Sequence, residues 1–397
     1  MQSDERHTKK CANEISETKS KLQIAAYYVM QHHIIVGRTH MEKKTILLTG
    51  GGTAGHVTPN IALIPKLKEK GFSVHYIGTE NSIEQKLVSE CDGVYYHSIS
   101  SGKLRRYFSL KNFTDPFRVV KGLFQAKKII KTIKPDVVFS KGGFVSVPVV
   151  VAARKRAPII THESDYSPGL ANKINARFAT KVCVTFEDTL KYVGEKGIHT
   201  GTPVRAVLFE GNREKGVEIT SLGSQKPVVL VMGGSLGALA VNNAVREALD
   251  ELLKTFDIIH LCGKGKVDES INKKGYVQYE YAGDELPHLF AMTDIVVSRA
   301  GANAVFEFLA LKKPSVLIPL PKSTSRGDQL LNASYFERKG YAVQIEQEKI
   351  NAQLLTKTVQ ELYKNRESYI KKMEKDSPGD GVDAVLSVIM SVVGDKK

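Results

Sequence analysis

The sequence predicts an α/β protein of two tandem Rossmann-like domains, each built on a parallel β-sheet. Short apolar segments typical of buried strands alternate with helical patterns along the chain. This alternation begins at residue 45 and restarts near residue 227, and a glycine-rich turn follows the first strand of each half. A length of 397 residues also agrees with two or three domains. In such folds ligands bind at the carboxyl ends of the strands, so we expect the site in the cleft between the domains.

The individual strands are predicted from apolar runs bounded by glycine, proline or charged residues. In the first half they lie at residues 45–49, 73–77, 135–139, 158–161 and 181–185. In the second half they lie at residues 227–232, 258–262, 277–281, 295–298 and 316–319. We therefore predict an N-terminal domain over residues 41–205 and a C-terminal domain over residues 206–379.

Residues 1–40 differ from the rest of the chain. They carry scattered charges and no clear period, and Met41 directly precedes the first strand. We predict that this segment is a poorly ordered, dispensable extension. The four cysteines are far apart, which argues against a zinc or redox motif. No apolar run reaches the roughly 20 residues that span a bilayer.

The positive charge is concentrated in one half. Of the net charge of +15, residues 41–205 contribute +13 and residues 206–397 contribute zero. The densest part, residues 101–134, holds ten basic residues and one acid, interleaved with aromatic and aliphatic side chains. This mixture predicts a helix in the interface of an anionic membrane, whereas a solvated helix face is the alternative. No nucleic-acid motif is present, so we expect no nucleic acid. The proposed membrane and acceptor residues are Leu104, Arg105, Arg106, Phe108, Phe113, Phe117 and Arg118.

Three glycine loops follow predicted strands. Residues 50–55 and 233–238 each connect a strand to a helix, and residues 140–144 contain a third loop. Backbone N–H groups at such turns can hold a diphosphate. The first loop also fits a dinucleotide motif, with Glu80 as the acid that such a site wants, but its repetition in the second half favours a sugar nucleotide.

Polar residues near these loops suggest the chemistry. His56 follows the first loop and is a candidate general base, because the pKa of imidazole lies near neutrality. Glu307 lies in a helix that follows the strand at 295–298 and could accept both hydroxyls of a ribose. The segment from His162 to Asp165 also ends a strand and points to the cleft. The chain contains no D-x-D motif, so backbone dipoles and Arg205 are expected to stabilise the leaving diphosphate, with no metal.

These motifs, in this order, resemble the MurG family from about Met41 to the C-terminus. The residues that carry the resemblance are Gly51–His56, Lys141–Gly143, His162–Glu163, Gly201–Arg205, Gly233–Ser235 and Ser298–Gly301. The resemblance implies an inverting transferase of the GT-B fold that needs no metal or cofactor. It implies transfer of N-acetylglucosamine from UDP-N-acetylglucosamine to lipid I, giving lipid II for peptidoglycan, and hence a role in cell-wall biogenesis, cell shape and division. The enzyme would act peripherally at the cytoplasmic face of the membrane, whose inner leaflet is anionic.

The family's residue roles can be transferred position by position. The donor would bind the C-terminal domain and the lipid the N-terminal one, with the last helix, residues 380–397, packed on the N-terminal domain. The implied catalytic residue is His56, and the implied donor-binding residues are Thr53, Ala54, Gly55, Asp165, Arg205, Ser235, Ala302, Asn303, Ala304, Glu307 and Gln329.

This sequence departs from the family's pattern at several positions. Ala54 replaces a glycine, Asp165 and Thr202 replace asparagines, and Ala304 replaces a threonine. Two alternatives stay open: another GT-B lipid glycosyltransferase, such as a diacylglycerol glucosyltransferase, and a non-catalytic paralogue that binds the UDP-sugar.

Overall fold

A computed structural model describes residues 44–102, 111–223, 225–234, 237–376 and 381–394, without the side chains of residues 111–114. Residues 45–397 form one compact unit. The predicted extension over residues 1–40 lies outside the described residues. So do Leu104, Arg105, Arg106, Phe108 and Ser235, and the side chain of Phe113.

The first half forms a seven-stranded sheet whose strands pair in parallel, in the order β3-β2-β1-β4-β5-β6-β7. Its strands are β1 Thr45–Thr49, β2 Ser73–Gly78, β3 Val94–Ser98, β4 Val137–Ser140, β5 Ile159–Glu163, β6 Lys181–Val184 and β7 Gly197–His199. Its helices are α1 Thr58–Glu69, α2 Ile83–Ser89, α3 Lys111–Ile133, α4 Ser146–Ala153 and α5 Leu170–Phe178.

The second half forms a six-stranded parallel sheet in the order β10-β9-β8-β11-β12-β13. Its strands are β8 Val228–Met232, β9 Asp257–Leu261, β10 Tyr276–Tyr279, β11 Ile295–Ser298, β12 Ser315–Leu317 and β13 Ala342–Gln344. Its helices are α6 Arg213–Thr220, α7 Leu239–Leu252, α8 Leu286–Met292, α9 Ala302–Ala310, α10 Asp328–Lys339, α11 Ala352–Lys364, α12 Arg366–Lys375 and α13 Gly381–Gly394. The prediction of two Rossmann-like parallel sheets is therefore confirmed.

The two sheets share a local device that fixes the start of their central strands. The carboxylate of Asp136, directly before β4, accepts a hydrogen bond from the backbone N–H of Thr45 at 2.8 Å. The carboxylate of Asp294, directly before β11, accepts one from Val228 at 2.8 Å. Because β1 and β4 occupy the same places in the first sheet as β8 and β11 in the second, the halves repeat one design.

Apolar strands are buried on both faces, as parallel sheets require. In the first sheet Ile46 and Leu48 face one cluster, and Leu47 faces the other. The last helix, α13, packs on the first of these clusters through Val385 and Ile389, although it follows the second sheet in sequence. The chain therefore returns to its first half at its end.

Aromatic rings join the halves beside the cleft. Phe186, which follows β6, contacts Phe306 of α9 with ring centroids 5.0 Å apart and an angle of 88° between the ring planes. It meets Tyr335 of α10 at 5.0 Å and 89°. Such edge-to-face pairs add specific geometry to apolar burial. These ring contacts therefore fix one side of the seam, by which we mean the contact region between the two halves.

Candidate functional site

The first glycine loop, residues 50–55, lies at the carboxyl end of β1, and a buried carboxylate packs against it. Glu84 of α2 is fully buried and accepts hydrogen bonds from the Gly52 N–H at 3.3 Å and the Thr79 hydroxyl at 2.6 Å. A Cβ at Gly51 would lie within 2.6 Å of the same carboxylate. Close backbone approach therefore explains the glycine at position 51.

The loop after β4 packs directly on the first loop. Gly143 has a φ of +79°, and a side chain there would overlap the carbonyl oxygen of Gly51. The neighbouring Phe144 covers Gly52. Two of the predicted loops thus form one surface at the carboxyl ends of the central strands.

His56 lies on this surface with a defined tautomer. Its Nδ1 lies 3.2 Å from the backbone carbonyl oxygen of Lys141, which can only accept, so Nδ1 carries the proton and Nε2 keeps a lone pair. Burial, together with the nearby charge of Lys141, lowers the pKa of His56 to about 4. The imidazole is therefore neutral near pH 7 and able to accept a proton at Nε2.

The second half contributes an ion pair to the cleft. Arg205, between the two sheets, donates to Glu307 of α9 at 3.3 Å. Burial raises the pKa of Glu307, while Arg205 opposes the rise. Among the described residues, none accepts a hydrogen bond from the buried Arg205 Nε. The Arg205 Nε–H is therefore a buried donor that lacks an acceptor among the described residues.

The carboxylate of Asp165 links the first half of the protein to the second. Its carboxylate pairs with Arg326 at 2.9 Å and accepts a bond from Asn332 at 3.4 Å, both from the second half. Burial raises the pKa of Asp165, and the charge of Glu163 adds to the rise. At this position a carboxylate has cationic and amide partners within the protein.

The other predicted donor residues fall on the same seam. Thr53 and Gly55 are exposed on the first loop, and Ala54 is half-buried. Asn303, at the second position of α9, donates from Nδ2 to the Gly55 carbonyl at 2.7 Å. The remaining three described ones are Ala302, buried at the start of α9, Ala304 at the third position of the same helix, and Gln329 of α10, whose Oε1 accepts from the Leu320 N–H at 3.0 Å.

Sequence reasoning did not single out three buried polar residues of this region. Glu84 supports the first loop, and Asn332 accepts from the Tyr166 N–H at 3.0 Å across the seam. Lys141 was recognised only as part of a glycine motif, yet its side chain is 1% exposed. A charged residue at a strand's carboxyl end beside two glycines was the signal available for Lys141.

A second surface of note lies on α3, away from the cleft loops. Phe117 is 78% exposed and Phe124 is 63% exposed, while Ala126 and Ile130 on the opposite side of the helix are buried. Their spacing places Phe117, Lys121 and Phe124 on one face, together with Val120, Lys128 and Lys131. Arg118, adjacent on the helix, is also exposed.

A basic pocket of about 280 Å³ opens beside this face, between α3 and the end of α4. Four cations and three apolar side chains line it: Lys127, Arg154, Lys155, Arg156, Leu123, Val151 and Ala152. Exposed aromatics next to clustered cations are typical of a binding surface rather than of ordinary solvent contact.

Within the described residues, no group of three or more histidine, cysteine, aspartate or glutamate side chains is arranged to hold a metal ion. No helix in those same residues combines the length and hydropathy of a bilayer-spanning segment.

Comparison with known proteins identifies the family. The sequence profile of the glycosyltransferase family 28 N-terminal domain matches residues 46–184, and that of its C-terminal domain matches residues 228–384. The UDP-N-acetylglucosamine--N-acetylmuramyl-(pentapeptide) pyrophosphoryl-undecaprenol N-acetylglucosamine transferase of Clostridium novyi (strain NT) is 57% identical over 353 residues, covering 88% of this chain and 99% of that protein. The protein of the same name from Clostridium tetani (strain Massachusetts / E88) is 56% identical over 350 residues, covering 87% and 98%.

Solved structures agree on the fold. MurG of Acinetobacter baumannii matches with a TM-score of 0.67 at 24% identity, covering 88% of this chain and 99% of that one. The calicheamicin glycosyltransferase CalG4 matches with a TM-score of 0.66 at 14% identity, covering 89% and 99%. At these identities the likeness establishes the GT-B fold alone. The two domain matches and the relatives above 50% identity show that this chain belongs to the MurG family of glycosyltransferases.

Proposed function

We propose that this chain transfers N-acetylglucosamine from UDP-N-acetylglucosamine to lipid I, the undecaprenyl-pyrophosphoryl-N-acetylmuramyl-pentapeptide, and so makes lipid II for peptidoglycan. The observation that carries this proposal is 57% identity to a transferase of that name over 99% of its length. A cleft with a neutral histidine on one side and an ion pair on the other supports it.

The donor occupies the second half in this proposal. Glu307 accepts the ribose hydroxyls, and the partly exposed guanidinium of Arg205 donates to the diphosphate. The first turn of α9, from Ala302 to Ala304, offers backbone N–H groups to the same phosphates. The position of Gln329 at the start of α10 suits a contact with the sugar. Ser235 keeps its predicted role at the diphosphate.

His56 is the general base. The acceptor hydroxyl attacks the anomeric carbon from the face opposite UDP, and its proton passes to Nε2 of His56. The bond between the anomeric carbon and the UDP oxygen breaks in the same step, which inverts the configuration. Thr53, Ala54 and Gly55 line the space between this base and the sugar, and Asp165 lies beside it.

A transfer assay tests this function against its alternatives. Purified protein is incubated with UDP-N-acetylglucosamine and either a short-chain lipid I analogue or diacylglycerol, with and without EDTA. We expect product from the lipid I analogue alone, at the same rate in EDTA. Product from diacylglycerol would favour another lipid glycosyltransferase, and UDP-sugar binding without turnover would favour a non-catalytic paralogue.

A general base with a lowered pKa predicts an unusual pH profile. Because the pKa of His56 is about 4, the base stays deprotonated above that pH, and log kcat/KM should fall only near pH 4 rather than near 6.5. The profile is measured from about pH 3 to pH 8, with a return to pH 7 to confirm that the protein survives the acid. An acidic limb centred near 6.5 would contradict the assignment.

The α3 face docks on the membrane in the same proposal. The exposed Phe117 and Phe124 insert into the lipid interface, and Arg118 with the neighbouring lysines contacts anionic head groups. The predicted residues Leu104, Arg105, Arg106, Phe108 and Phe113 precede Phe117 in the sequence and keep their predicted membrane role in this proposal. Such binding holds the first half near the lipid acceptor at the cytoplasmic face of the membrane. No nucleic acid takes part.

Charge reversal on α3 should weaken membrane binding. Replacing Lys121 and Lys128 with glutamate removes attraction of about 1 kcal/mol per lysine near an anionic leaflet. We expect sedimentation with anionic vesicles to drop, and high salt to lower wild-type binding in part because apolar insertion is insensitive to screening. The matched control makes the same charge change on α11, at Lys357 and Lys364. Equal binding of both double variants would remove α3 as the docking face.

The domain division also remains a proposal. We place the N-terminal domain at residues 41–205, joined by the last helix over residues 380–397, and the C-terminal domain at 206–379. Residues 1–40 form a dispensable extension in this division. The packing of α13 on the cluster that contains Ile46 supports its grouping with the first domain.

A further inference from the structure

Lys141 is the most unusual charged residue of the cleft. It follows β4, its side chain is 1% exposed, and its ammonium donates to two neutral groups, Nδ1 of His162 at 2.6 Å and the hydroxyl of Ser164. Fully buried lysines are rare unless a carboxylate pairs with them. Burial lowers the pKa of Lys141 to about 7, while the charges of Glu163 and Asp165 oppose the shift.

The direction of each hydrogen bond around Lys141 is fixed. Nε2 of His162 lies 2.9 Å from the Gly201 carbonyl oxygen and must donate to it, so Nδ1 is an acceptor. Ser164 accepts from Lys141, and its own proton is free for the Asn303 Oδ1 at 3.3 Å. The lysine therefore orients a serine toward the opposite half of the protein.

Asn303, in the second half, also contacts the first half. Its Nδ2 donates to the Gly55 carbonyl at 2.7 Å, and Gly55 is bonded covalently to His56. The Nδ1 proton of His56 is held by the backbone carbonyl of Lys141 at 3.2 Å. These contacts close a ring that runs from Lys141 through Ser164, Asn303, Gly55 and His56 back to Lys141.

Asn303 is the single member of this ring that belongs to the second half. It lies at the second position of α9, the helix whose first turn faces the cleft. The ring of contacts can thus close only when the two halves meet, and the imidazole of His56 is one of its members. A ring of this kind converts the approach of the donor domain into a fixed orientation of His56.

We propose that Lys141, Ser164 and Asn303 are positioning residues that hold His56 toward a donor bound at the start of α9, and that Asn303 completes this arrangement when the domains close. The inference rests on the proposed role of His56 as general base. Lys141 acts through its side chain on Ser164 and through its carbonyl on the histidine, and none of the three takes part in bond making.

Breaking the ring should slow turnover without weakening donor binding. We expect Asn303→Ala and Ser164→Ala each to lower kcat by about 10- to 100-fold, the scale of a mispositioned catalytic group. The dissociation constant for UDP, measured by calorimetry, should stay at its wild-type value because backbone groups of α9 remain. Ser164→Thr, which keeps the hydroxyl, should recover most of the lost rate.

The double variant decides whether the residues act together. If Ser164 and Asn303 serve one ring, Ser164→Ala combined with Asn303→Ala should be no slower than the worse single variant. Multiplied losses, or a loss of UDP affinity that parallels the loss of kcat, would overturn the ring. A wild-type rate in Asn303→Ala, in an assay where His56→Ala is inactive, would refute the inference but leave the proposed function standing. An inactive wild type would refute the function itself.

The pH dependence of kcat/KM tests the role of Lys141 separately. Burial and the charges of Lys141 and Arg326 lower the pKa of His56, whereas its hydrogen bond to the Lys141 carbonyl and the charge of Glu84 raise it. Removing one cation with Lys141→Met should shift the acidic limb of kcat/KM to higher pH, whereas Lys141→Arg should leave that limb in place. An unshifted limb in a folded Lys141→Met protein would contradict the role of its charge. If this variant does not fold, the Ser164 and Asn303 cycle remains the test.

Discussion

Replacing His56 with alanine should lower kcat by a factor of about 10²–10⁴, the usual contribution of a general base. Nε2 of His56 is the one ring nitrogen with a lone pair, because Nδ1 is bound to the Lys141 carbonyl. The acceptor hydroxyl then loses the base that is aimed at it and attacks as a poorer nucleophile. Stopped transfer assays with saturating UDP-N-acetylglucosamine and lipid I analogue measure the loss.

His199→Ala is the matched control for this experiment. His199 belongs to the same sheet but lies exposed on the edge strand β7, where its Nε2 contacts the Thr185 carbonyl at 3.1 Å. Its replacement should leave kcat unchanged. UDP affinity of His56→Ala should match the wild type, so a parallel loss of UDP binding would indicate a structural rather than a chemical role. A kcat within tenfold of wild type would assign the base to another group.

Replacing Glu307 with glutamine should weaken UDP binding by about 1–3 kcal/mol, the cost of losing hydrogen bonds to a charged group. That range corresponds to about a 5- to 150-fold rise in Kd. Two effects combine: the amide can accept from the ribose at one oxygen only, and Arg205 loses the carboxylate 3.3 Å away. Isothermal titration with UDP measures the change directly.

The control for Glu307 is a glutamate of the same domain outside the cleft. Glu374 of α12 pairs with Lys312 at 2.9 Å and is half exposed, so Glu374→Gln removes a comparable charge from the surface. UDP affinity should be the same in this variant as in the wild type. If Glu307→Gln also bound UDP normally, the ribose assignment would have to be abandoned.

The central strands were predictable because burial on both faces requires continuous apolar runs. Of the thirteen strands in the described residues, ten overlap predicted segments, whereas β3, β7 and β13 were not predicted. All three lie at the edge of a sheet. An edge strand has one free side, tolerates polar residues and is short, as in Val94–Ser98 with its tyrosines and histidine. Its pairing is decided by the neighbouring strand rather than by its own sequence.

The position of the cleft could be predicted from the sequence, but the side-chain contacts within it could not. Glycine loops at strand ends locate the ligand surface, because parallel strands deliver their carboxyl ends to one edge. Contacts such as Asn303 with Gly55 or Asp165 with Arg326 join residues far apart in sequence. Neither local periodicity nor motif spacing carries information about such pairs. Lys141, whose carbonyl and ammonium each serve a different histidine, shows the same limit.

A crystal structure of the complex with UDP-N-acetylglucosamine would show whether the donor sugar and His56 meet in the cleft. We predict that the ribose hydroxyls bind Glu307, that the diphosphate lies between Arg205 and the first turn of α9, and that the anomeric carbon faces Nε2 of His56 across the seam. A donor bound outside this cleft, or one whose sugar points away from His56, would contradict the account.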